Sequence, residues 1–138
     1  MTSRVALAFA LLLVGAITAC SGGGSECAPS DVFETEAGPG DSVDTTAEAA
    51  DGLGETRLLH EEDGYAFFLV DEPELRGEVC VWVERDATYV AHGCSSQGVK
   101  MMTGSDGGVG VVYDVRGDVE RQALGSYHVV DSCLAVRV

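Results

Sequence analysis

His60, Glu61, Glu62 and Asp63 form the densest run of metal-capable side chains in the sequence, and carboxylate oxygens of this kind suit a hard cation. On a helix or a strand, however, four adjacent residues point in different directions and cannot all face one ion. The run therefore reads as a solvated acidic edge. His92 and His128 have no second ligand at helical or hairpin spacing, so they read as surface or packing histidines. No metal, cofactor or catalytic residue is assigned.

Nucleophilic chemistry has no better support. Ser95, His92 and Asp86 supply the residue types of a hydrolytic trio, in which a base activates a serine and a carboxylate orients the base. No nucleophile-elbow sequence surrounds Ser95 or Ser96, and the neighbouring Cys94 is better used in a disulfide. Gly104, Gly107, Gly108 and Gly110 lack the Lys followed by Ser or Thr of a phosphate loop, and read as a hairpin turn leading into Val111. Cys80 and Cys94 lack the spacing of a redox pair. Solute capture needs two lobes that close on a ligand, more than 138 residues provide.

The strongest signal lies at the start of the chain. A short positive region ending at Arg4 precedes a largely apolar run over residues 5–17, too short for the roughly 20 residues of a membrane-spanning helix. Residues 1–19 are therefore expected to be a signal peptide. The run ends in Ile17-Thr18-Ala19-Cys20, which resembles the lipobox of bacterial lipoproteins: an aliphatic residue, a small one, Ala or Gly, then cysteine. The resemblance covers the first twenty residues. It implies that the Cys20 thiol takes a diacylglyceryl group and that a peptidase cuts before Cys20. The mature protein would then sit on the outer face of the cell membrane. Each buried methylene contributes about 0.8 kcal/mol, so one fatty chain holds marginally and two or more hold firmly.

Charge restricts the partners. The formal net charge is -15, and loss of Arg4 with the signal takes it to -16. Lys100 is the only lysine and the arginines are scattered, so nucleic acid, which needs clustered bases, is excluded as a partner. Anionic headgroups repel such a surface as well. Membrane association must come through the lipid on Cys20.

Five cysteines are an odd number for an exported chain. Lipidation of Cys20 leaves Cys27, Cys80, Cys94 and Cys133, an even set suited to two disulfides in an oxidising compartment. Residues 20–54 are rich in Ser, Gly, Ala, Thr, Asp and Glu, contain no base, and carry few large apolar residues besides Val32, Phe33, Val43 and Leu53. Such a stretch is expected to be a flexible tether, with a reach of roughly 35 Å. If Cys27 bonds to the domain, the free link shrinks to about seven residues and the domain rides close to the membrane. Residues 47–50 suit one helical turn ended by Gly52.

Residues 55–138 read as a small β-rich domain. Residues 56–63 suit a short helix stopped by Gly64 as well as an edge strand. Strands are predicted over 65–70, 79–84, 88–91, 99–102, 109–115, 127–130 and 134–138, each short, apolar or β-branched and bounded by turn residues. Val79, Val81 and Val83 point one way while Cys80 and Trp82 point the other, so both faces are apolar and a central strand is implied. The fold class is mainly β: a small disulfide-stapled β-sandwich or open barrel after a disordered tether. Cys80 and Cys94 fall in consecutive strands and can face each other across a hairpin, and Cys27 then takes Cys133 by elimination. Four cysteines allow three pairings. On the chain-entropy model the first loop is worth about 3 kcal/mol and the second about 4.7 kcal/mol.

Arg57-Leu58-Leu59, the Val79-Cys80-Val81-Trp82-Val83 strand, the Ala91-His92-Gly93-Cys94 turn and Val112 to Val115 resemble uncharacterised small exported actinobacterial proteins. That resemblance implies the domain and the Cys80 to Cys94 bond, and adds nothing about function. The expected role is a lipid-anchored, non-enzymatic module that meets an envelope protein or wall component. The alternative is a small envelope hydrolase or metal-dependent enzyme using residues 60–63 or His92.

Overall fold

A two-residue turn settles the helix-or-strand question at residues 56–63. In the computed structural model, which describes residues 27–103, 108–123 and 125–138, these residues form strand β1 (Thr56–Glu62), paired antiparallel with β2 (Tyr65–Val70). Asp63 and Gly64 between them both have positive φ, 50° and 80°, the twist that joins two strands without splaying them. Gly64 therefore closes a hairpin and does not end a helix. Asp86 and Ala87 make the same kind of turn between β3 (Val79–Arg85) and β4 (Thr88–Ser95). The four strands lie in chain order in one antiparallel sheet.

The second sheet contains β5 (Gly98–Met102), β6 (Gly110–Asp114), β7 (His128–Val129) and β8 (Leu134–Arg137), in the order β5-β6-β8-β7. The Thr103 N–H donates to the Val109 carbonyl at the mouth of the β5–β6 hairpin. Gly104 and Gly107 of the expected turn lie outside the described residues, as do the signal segment and Ile17, Thr18, Ala19 and Cys20. Gly98 opens β5 because a Cβ there would sit 2.2 Å from the Tyr113 carbonyl. Among the described residues no helix is long and apolar enough to cross a membrane.

The two sheets pack face to face as a sandwich, not as a closed barrel. Phe67, Leu69, Val79, Val81 and Val83 from the first sheet meet Val99, Val111, Tyr113, Leu134 and Val136 from the second. Because strand side chains alternate, Phe68, Val70, Cys80 and Trp82 point away from this core, yet they too are buried. Val112 and Ala135 on the far side of the second sheet are covered by Val119 of α2 (Val119–Gln122), with Ala123 and Tyr127 beside it.

The cover over the first sheet corrects the reading of residues 20–54 as a free tether. From Cys27 onward this chain lies against the domain. Val43, Ala47, Ala49, Ala50 and Leu53 seal the outer cluster, and Val32 and Phe33 of α1 (Pro29–Phe33) pack against the inner core. The expected turn near residues 47–50 is a 3-10 helix, Glu48–Ala50, within that cover. The physical reason is that a strand apolar on both faces needs two covers, and the second sheet supplies one. Polar bonds fix the same segment. Arg57 donates to the Thr35 carbonyl from Nη2 at 2.9 Å and rests 5.3 Å from the Phe33 ring centre. The Asp41 carboxylate accepts the Leu58 N–H at 2.6 Å, which holds that carboxyl below its ordinary value.

Both disulfides pair as expected. Cys80 and Cys94 stand directly opposite in the β3–β4 register, 4.1 Å apart at Cα, and Cys27 joins Cys133 across 106 residues. The Tyr113 hydroxyl donates to the Cys27 carbonyl at 2.7 Å. Burial pushes this phenol up from 10.0 to about 12, with the charges of Asp131 and Asp31 adding to the shift. The fold thus favours the protonated phenol, and the stability from that preference is whole below about 10 and is lost as pH climbs towards about 12. Stability measured by denaturant melts across that window should fall in wild type and fall less in Tyr113→Phe. Equal slopes would show that Tyr113 does not carry the effect.

Candidate functional site

A β-bulge decides which side chains of β1 reach the second sheet. Leu58 pairs with the outward Phe68, but the register shifts before His60, which pairs with the inward Phe67. Without that shift strict alternation would place His60 on the outer face. Bulges re-aim side chains in this way, and here the consequence is that His60 and Glu62 both point toward the second sheet. Across the open side of the sandwich, the edge strand β7 presents His128, paired in register with the inward Val136. The two edges meet at one carboxylate. Glu62 Oε2 lies 3.4 Å from His60 Nε2 and 3.3 Å from His128 Nδ1.

His60 and Glu62 are partly buried and His128 is exposed, and the imidazole centres are 6.4 Å apart in an edge-on arrangement. The Glu62 carboxyl is held below its ordinary value, first by the hydrogen bond from His128 and then by that from His60. Of the run 60–63, Glu61 lies on the opposite face and Asp63 in the turn, so the four do not share one point, as read from the sequence. His128 was invisible as their neighbour because it stands 66 residues from Glu62.

His92 is exposed on the face of β4 that carries Tyr89 and lies opposite Trp82, in keeping with the surface or packing histidine expected. It faces Trp82 in the β3–β4 register, with ring centres 5.9 Å apart, and its Nδ1 lies 3.1 Å from the Tyr89 hydroxyl. The hydrolytic trio is not assembled. Asp86 sits in the turn at one end of the β3–β4 hairpin and Ser95 at the other, opposite Val79. Ser95 and His92 are three apart on a strand and point to opposite faces.

Among the described residues, the one set of three metal-capable atoms that all lie within 4.8 Å of one another is Glu72, Cys80 and Cys94. The two sulfurs are bonded to each other, so neither is the thiolate that a metal requires. One cavity, of about 570 Å³, has Phe33, Val70, Val79 and Val115 in its wall, and among the described residues its charged groups are Glu55, Asp71 and Glu78. A smaller one of about 290 Å³ is lined by Glu48, Asp51, Glu72, Glu74 and His92. Both repel anions.

Fold and site together define a disulfide-stapled, acidic, two-sheet β-sandwich with a two-histidine, one-carboxylate cluster at its open side. Comparison of the chain with protein-family models, with curated proteins and with solved structures finds no match.

Proposed function

We propose that this protein is a lipid-anchored envelope lipoprotein whose acidic β-sandwich serves as a non-enzymatic interaction module for a protein or wall component. One observation carries the reading. Cys27, Cys80, Cys94 and Cys133 are consumed in two disulfides, which leaves Cys20 as the one cysteine outside them, directly after the lipobox-like Ile17-Thr18-Ala19. An odd thiol in an exported protein calls for a use, and acylation provides one.

The Cys27–Cys133 bond also sets the geometry of presentation. The six residues from Ser21 to Glu26 separate Cys20 from Cys27, and six residues reach at most roughly 20 Å when extended. The Cys27 end of the sandwich is thereby kept close to the lipid surface while anionic headgroups repel the acidic faces. A partner with basic groups fits those faces best.

The test is mass spectrometry of the mature amino terminus from isolated membranes. A diacylglyceryl group on Cys20, and release of Cys20→Ser into the medium, are the expected results. A free chain in the medium with an unmodified thiol at that position would overturn the reading. Cross-linking from intact membranes then identifies the partner.

A further inference from the structure

We propose that His60, Glu62 and His128 form a binding site for a divalent transition-metal ion, held by two imidazole nitrogens and one carboxylate oxygen between the open edges of the two sheets. The inference goes beyond the anchored-module reading and is independent of Cys20. The chain has three histidines, and two of them, contributed by different sheets, converge on the same oxygen of one carboxylate. A register shift at β1 is what turns His60 and Glu62 toward His128.

The carboxylate oxygen is spaced from each imidazole as two ligands of one ion are. Bonds of about 2.0–2.2 Å in a tetrahedral site put neighbouring donor atoms about 3.3–3.5 Å apart, and the two oxygen–nitrogen separations here are 3.4 and 3.3 Å. Two imidazoles on one such ion have centres about 5 Å apart. From the 6.4 Å observed, with the two nitrogens more than 4.8 Å apart, one ring must swing inward by roughly 1.5 Å. His128, with 62% of its side chain exposed, has the freedom to do so. Nitrogen donors select zinc, copper or nickel over calcium and magnesium, which take oxygen. The surrounding acidic surface concentrates cations at the site. Three protein ligands leave one position open to water or to a partner's side chain.

A plain hydrogen-bonded clamp between the sheets is the competing account, and metal titration separates the two. The probe is Zn²⁺ added to the untagged, mature full-length chain in detergent with both disulfides intact, followed by calorimetry. Cu²⁺ spin resonance then counts the nitrogen ligands. One ion per chain, with two nitrogens on copper, is expected. His60→Ala and His128→Ala should each weaken zinc binding by at least the about tenfold that losing even an outer partner of a ligand costs. Glu62→Gln should weaken it with both nitrogens retained, and His92→Ala should leave it unchanged. His128→Gln is the fallback if the alanine variant misfolds. Binding that survives both histidine substitutions, an equal response to Mg²⁺, or no saturable zinc binding would overturn the site.

Discussion

Replacing Cys27 and Cys133 together by serine should lower the free energy of unfolding by about 4 kcal/mol, within the 2–5 kcal/mol typical for a disulfide in a small exported domain. The bond closes a separation of 106 residues, against 14 for Cys80–Cys94, and the loop-entropy term grows with length. Its position adds a second effect. Cys27 is 1% exposed and begins the segment that covers the outer face of the first sheet. Without the bond, that segment is held at its start by the Tyr113 hydrogen bond and short apolar contacts. Limited proteolysis should therefore cut within residues 27–54 before the sandwich is attacked, and urea melts should show the larger loss for this pair than for Cys80→Ser with Cys94→Ser. A loss below about 1 kcal/mol, or the reverse order, would mean that the cover holds itself in place.

Much of the β fold can be read from local pattern because short-range physics governs it. The alternation of Val79, Val81 and Val83 with Cys80 and Trp82 announces a central strand, and β3 lies between β2 and β4 with six of its seven residues buried. At residues 56–63, where helix and strand are equally open in the sequence, the positive φ of Asp63 and Gly64 decides for the hairpin. The cover was misread because average composition hid it. Val32, Phe33, Val43 and Leu53 are sparse among acids and glycines, yet each lands on a cluster that the strands leave open. A strand with two apolar faces already demanded such a partner.

The histidine cluster was not legible for a different reason. Its assembly depends on an extra residue in β1, Leu59, that strict alternation does not foresee. It depends as well on the pairing of two edge strands' sheets, which no local spacing encodes. The lipobox-like run Ile17-Thr18-Ala19-Cys20 lies at the other extreme, since the proposed lipidation rests on four contiguous residues. Site legibility here tracks how far apart in the chain the participating atoms are.

Trp82→Ala should be the most damaging single substitution, costing about 3–5 kcal/mol by the rule for large-to-small changes in a core. Trp82 is fully buried, packs against the tilted ring of Tyr89 with ring centres 4.4 Å apart, and donates its indole N–H to Glu84 at 2.9 Å. Glu84, itself buried, also accepts the Asp44 N–H from the covering segment. The indole thus links sheet and cover through one carboxylate. Trp82→Phe keeps an aromatic surface against Tyr89 but removes one of the two donors to Glu84, and should cost about 0.5–1.5 kcal/mol, the net range for one hydrogen bond. Because the Cys27–Cys133 bond and Trp82 both hold the same segment, their losses are coupled. Serine at both cysteines combined with alanine at Trp82 should therefore cost less than the sum of the separate changes, as read from urea melts of the four variants in a double-mutant cycle. Strict additivity would show that the cover and the outer cluster are energetically independent, and that the apolar outer face of the first sheet is stabilised from within the sheet.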